Sequence, residues 1–152
     1  MTYVPNPGFG VTLESLTPSS LTGARFATDI NALLKYQEAA WLNTQIHLTA
    51  DKTTIGEIQF AIWTLFTPSA INQTGINVAS VNNWLGQAAL INPSLFDFSS
   101  IRIYTPTGPY ASNQEFISGD VAPVPEPGTM ALLGFGMFGL AIFGKRRMNK
   151  ES

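Results

Sequence analysis

The sequence predicts an α+β fold: a mainly helical extracytoplasmic domain with a short β-hairpin, followed by one C-terminal transmembrane helix. Three observations lead there. Apolar residues recur at helical spacing in three segments between Thr28 and Leu90. Ile101-Arg102-Ile103-Tyr104 alternates as a strand does. An uncharged run, Gly128 to Gly144, stops abruptly at Lys145-Arg146-Arg147.

In chain order, Thr28 is placed to cap a first helix that runs to about His47. Its apolar face would be Ile30, Leu33, Leu34, Trp41 and Leu48. Thr54-Ile55-Gly56-Glu57 reads as a capping box, which opens a second helix from Ile55 to about Phe66, before Pro68. A third helix spans about Asn77 to Leu90, with Pro93 just beyond. The strand at 101–104 has a candidate partner in Gln114-Glu115-Phe116-Ile117, across a Pro- and Gly-rich loop from Pro106 to Ser112. Trp41, Trp63 and Trp84 fall one per helix. They read as a shared core, or as a sugar platform if their rings are exposed.

Gln59 stands out in the second helix. The segment IQFAIWTLF is apolar nearly all round, so burial is expected. Gln59 shares a face there with Ile62, Trp63 and Phe66. A buried amide needs hydrogen-bond partners or costs about 1–3 kcal/mol. The plain expectation is a core glutamine that ties a loop to the helix. The pattern Gln59-x-Ala61-Ile62-Trp63 also resembles the glutamine motif of bacterial thioester adhesin domains. In that family the glutamine side chain is cross-linked to a cysteine. This chain has no cysteine, so the resemblance implies a relic that cannot form the bond in the chain as written.

Composition narrows the function classes. Charged residues make up 12% of the chain, against about 25% in ordinary soluble domains. Residues 1–127 carry four cations (Arg25, Lys35, Lys52, Arg102) against nine acids. Nucleic-acid binding needs a basic face, so it is excluded for this body. The absence of cysteine excludes disulfides, thiolate metal sites and cysteine nucleophiles in this chain. His47 is the sole histidine and sits at a predicted helix end, with no G-x-S-x-G nearby. Asp29, Glu38, Asp51 and Glu57 read as solvated or capping positions, and there is no P-loop or H-E-x-x-H. Gly134-Phe135-Gly136-Met137-Phe138-Gly139 spells G-x-G-x-x-G but lacks the flanking strand and the later acid of a dinucleotide site. No catalytic, cofactor-binding or metal-binding residue is assigned, and the chain is not expected to be an enzyme.

The C-terminal segment carries the strongest signal. As a helix, Gly128–Gly144 would be about 25 Å long, at the short end of the spanning range. Lys145, Arg146 and Arg147 would snorkel to the interface and keep the tail in the cytoplasm. Before it, Pro123, Pro125 and Pro127 alternate, which enforces extended, polyproline-like backbone and holds Glu126 outward. Pro125-Glu126-Pro127, an apolar helix and a terminal basic cluster together resemble a PEP-CTERM sorting signal, over about residues 123–150. The resemblance implies an exported surface protein of a Gram-negative bacterium, recognised and processed by exosortase, a membrane-embedded enzyme. It also implies an association with extracellular polysaccharide.

The expected organisation is therefore a domain at 1–118, a linker with the sorting motif at 119–127, a membrane helix with its basic stop at 128–147, and a tail at 148–152. The body would face the periplasm from a single-pass inner-membrane anchor, and processing would release it to the cell surface. The sorting residues are Pro125, Glu126, Pro127, Lys145, Arg146 and Arg147. Partners are the lipid bilayer, an exosortase and extracellular polysaccharide. The body is expected to be structural or adhesive, with polysaccharide binding and a degenerate thioester adhesin as alternatives. Met1 to Thr22 has neither a basic start nor an apolar core, so it is not a signal peptide. The expectation is that the chain begins inside a longer reading frame.

Overall fold

The structure, a computed structural model, describes residues 10–16, 21–124 and Met137. The chain divides into two compact units, Met1–Ala122 and Pro123–Ser152. Among the described residues the first holds five strands and three α-helices. Their order is β1 (Gly10–Ser15), α1 (Ala32–His47), α2 (Lys52–Phe66), α3 (Val78–Ala89), β2 (Phe96–Asp97), β3 (Arg102–Thr107), β4 (Phe116–Ser118) and β5 (Ala122–Pro123), whose Ala122 closes the unit. The α+β expectation stands. Among the described residues no helix is long and apolar enough to cross a membrane. Of the expected span at 128–147, only Met137 is described, in a helical conformation.

The predicted hairpin forms, with Tyr104 opposite Phe116 and Ile103 opposite Ile117. It is part of a larger sheet. β1 adds along the other edge of β3, so the antiparallel order is β1-β3-β4. Pro106 falls inside β3, opposite Val11 and beyond the end of β4. There β3 has a single neighbour, where a missing backbone N–H is tolerated.

Helices α1 and α2 differ from expectation at their starts. Thr28 does not cap α1. The chain turns through 28–31, and Asn31 takes the N-cap position in a left-handed conformation (φ 60°) without a side-chain cap. Asn is one of the few non-glycine residues that visit this region readily. Ile30 therefore lies outside the helix and is exposed, as is Leu48 at its other end. The buried face of α1 is instead Ala32, Tyr36, Ala39, Ala40 and Leu42.

Helix α2 begins three residues before the expected start at Ile55. Asp51 is its N-cap, and its carboxylate accepts from the backbone N–H (2.8 Å) and hydroxyl (2.6 Å) of Thr54. These bonds hold the Asp51 carboxyl below its ordinary range, the side-chain bond contributing most. Helix α3 starts as expected, with the Asn77 side chain accepting from Ser80 N–H at 3.3 Å.

Two apolar clusters form the core. One joins Tyr36 and Ala40 of α1 to Ile101, Ile103 and Val121, with the Phe26 and Phe66 rings stacked 4.8 Å apart at its margin. The other joins Leu42, Ile58, Ala61, Val81 and Ala88 where α1, α2 and α3 meet. Trp41 and Trp84 pack against this second cluster.

Candidate functional site

The last turns of α1 face the chain just before the sorting segment. The Asn43 amide donates to the Gly119 carbonyl at 3.2 Å. Val121 N–H donates to the Thr44 hydroxyl at 2.9 Å. The Ser100 hydroxyl donates to the Asp120 carbonyl at 2.6 Å, and His47 Nδ1 lies 2.6 Å from the Asp120 carboxylate. Gly119 has φ 95°, and a Cβ there would come within 2.6 Å of the Ser100 carbonyl oxygen. Residues 119–121, at the start of the linker expected over 119–127, are thus fastened to the body. Beyond them Ala122, Pro123 and Val124 are exposed. His47 and its partner Asp120 are both solvent-exposed, and the pair belongs to this strap.

The sorting residues Pro125, Glu126, Pro127, Lys145, Arg146 and Arg147 lie outside the described residues. The other predicted group, Gln59, Ala61, Ile62 and Trp63, is fully described. It divides between two faces of α2. Ala61 is completely buried with Ile58, against α1 and α3. Gln59 is exposed, so the expected core glutamine is corrected. The reason is that α2 is covered on its Ile58–Ala61 side, whereas its Gln59–Trp63 side opens to a surface hollow. Trp63 is 38% exposed, unlike Trp41 and Trp84, and the Phe60 ring meets it edge-on at 4.9 Å. The expected sharing of one core by all three tryptophans is corrected at this position.

Two hollows adjoin at Trp63. One, of about 370 Å³, lies between α1, α2 and β4 and includes Asn43, Gln59, Ile62 and Phe116. The second, of about 600 Å³, is bounded by Arg25, Phe60, Thr67 and Gln73. Trp63, Gln114 and Glu115 line both.

Glu115 is held by a network that spans the unit. One carboxylate oxygen accepts from Arg25 N–H at 2.9 Å and from the Thr105 hydroxyl, and the other accepts from the Tyr36 hydroxyl. Tyr36 in turn accepts from Phe26 N–H at 3.2 Å. Burial, and then the bond to Glu115, push the Tyr36 phenol far above its ordinary pKa, so it remains a donor. The Arg25 guanidinium donates to the Ala111 carbonyl at 2.6 Å and to that of Asn113. Sequence pattern marks Glu115 only as a strand residue. The acceptors and donors of this network come from segments far apart in the chain, and no local pattern joins them.

Among the described residues no group of three or more His, Cys, Asp or Glu side chains is arranged to hold a metal ion. Residues 123–147 match the PEP-CTERM protein-sorting motif. No curated protein and no solved structure matches the chain. The motif implies an exported, membrane-associated chain that an exosortase processes.

Proposed function

We propose, on the premise that this chain carries a PEP-CTERM sorting motif, that it is a surface protein whose body is displayed outside the cytoplasm and detached from its anchor by exosortase. The observation that carries this reading is a coincidence of boundaries. The first compact unit closes at Ala122, and the matched motif begins at residue 123. A cut within the motif therefore leaves every hydrogen bond of the strap and the Glu115 network inside the body. Gly128–Gly144 serves as the membrane anchor, the basic triplet Lys145-Arg146-Arg147 keeps the tail cytoplasmic, and the body faces the periplasm of a Gram-negative cell.

In this reading Pro125 and Pro127 act through backbone stiffness, and Glu126 supplies the side chain that the enzyme reads. The body performs no catalytic step. It has a structural or adhesive role in the extracellular matrix, in contact with polysaccharide; the exposed ring of Trp63, bordered by amide side chains, supports that contact. The sorting reading is tested with Glu126→Ala in a host that has an exosortase. The variant keeps its extended backbone and apolar run, so the uncleaved form is expected to accumulate in the inner membrane. Loss of the C-terminal segment at the native rate would show that Pro-Glu-Pro is only a linker.

A further inference from the structure

We infer that the paired hollows on either side of Trp63 form one binding site for a neutral oligosaccharide, with the indole as the surface on which a pyranose ring stacks. This rests on the polysaccharide reading above and gives it a location.

Three observations carry it. First, the volumes of about 370 and 600 Å³ fall in the roughly 300–1,000 Å³ range of ligand sites, and the two hollows share Trp63, Gln114 and Glu115. Such a shape accommodates an extended ligand that crosses Trp63 better than a single compact one. Second, Trp63 is exposed, whereas Trp41 and Trp84 are partly buried against the second apolar cluster, and Phe60 braces Trp63 edge-on. An aromatic ring braced and half exposed offers apolar area at little entropic cost, which suits the C–H face of a sugar. Third, the uncharged polar groups along the hollows include four amides, Asn43, Gln59, Gln73 and Gln114, beside the hydroxyls of Thr67, Ser69 and Thr74. An amide both donates and accepts, as a sugar hydroxyl does.

The charges select a neutral ligand. Only Arg25 and Glu115 among the lining residues are charged. The guanidinium of Arg25 is already bonded to the Ala111 and Asn113 carbonyls, and Glu115 accepts from Arg25 N–H, Tyr36 and Thr105. The lining residues thus leave no free cation to pair with a uronate or sulfate, and the surrounding body is acidic.

The test is calorimetric titration of the full chain, held in a zwitterionic detergent without a sugar headgroup. The probes are cellohexaose, laminarihexaose and maltohexaose, with polygalacturonate as the acidic counterpart. At least one neutral hexasaccharide is expected to bind. Trp63→Ala should weaken that binding about tenfold or more. Trp63→Phe should restore part of it. Gln59→Ala changes an exposed side chain only, so it should weaken binding without altering the circular dichroism spectrum. Binding of neutral sugar that is unchanged in both Trp63→Ala and Gln59→Ala would overturn this site and leave the polysaccharide reading standing. Binding of polygalacturonate alone would do the same. Binding of none of the four would overturn the polysaccharide reading, and the site with it.

Discussion

Gly119→Ala probes the joint between body and sorting segment. At φ 95° the added Cβ would lie 2.6 Å from the Ser100 carbonyl oxygen, 3.0 Å from its carbon and 3.2 Å from the Ile101 Cα. All three are backbone atoms, and Ile101 is fully buried, so no side chain can swing away to make room. The left-handed conformation alone costs an alanine about 1–2 kcal/mol. Overpacking against backbone adds about 1–3 kcal/mol. The expected loss is therefore about 2–5 kcal/mol, a large share of the roughly 5–15 kcal/mol that keeps a domain folded.

Two other glycines separate these contributions. Gly75 has φ 86°, and a Cβ added there would meet nothing within 4 Å, so Gly75→Ala should show the conformational cost alone, about 1–2 kcal/mol. Gly56 lies within α2 and is equally open, so Gly56→Ala should stabilise by about 0.5–1 kcal/mol. Urea denaturation of the three variants gives the order directly. If Gly119→Ala loses no more than Gly75→Ala, the close approach of the strap to Ser100 is wrong.

Tyr36→Phe removes the hydroxyl that donates to Glu115 and accepts from Phe26 N–H, and should cost about 1–3 kcal/mol in the same denaturation assay; an unchanged midpoint would mean that the network does not hold the unit together. Burial raises the Glu38 carboxyl above its ordinary value of 4.5, with Lys35 opposing. The folded state therefore binds the Glu38 proton more tightly than the unfolded chain does. The stability this lends is complete below the ordinary value and is lost as pH rises through the folded one. Glu38→Gln should thus gain melting temperature relative to the native chain as pH rises through that window, and a difference independent of pH would contradict the assignment.

The helices and the hairpin are legible in the sequence because their signals are local. Periodic apolar residues, Pro68 and Pro93 mark three helices, and the alternation at 101–104 marks β3. β1 carries the same kind of signal, with Val11 and Leu13 alternating with Thr12 and Glu14, but its partner β3 lies some ninety residues further along the chain. The start of α2 is misplaced from sequence because Thr54 stands in the hydrogen-bond partner's role, three residues after the true cap. Exposure of Gln59 is beyond local reading. An all-round apolar helix predicts burial, yet what lies over each face depends on how the other elements pack. The Glu115 network is hidden for the same reason: its contacts to Arg25 and Tyr36 cross 90 and 79 positions of the chain. The sorting segment is legible because its parts are consecutive, and the motif match falls where they stand.

Export and cleavage at the sorting motif leave a mark on the size of the mature chain. The most direct measurement is the intact mass of the protein recovered from one host with an exosortase and from the same host without it. With the enzyme, the recovered chain is expected to retain its body through Ala122 and to lack the apolar run and the basic tail, while without it the chain extends to Ser152. A chain that keeps Lys145-Arg146-Arg147 in both hosts would contradict that cleavage.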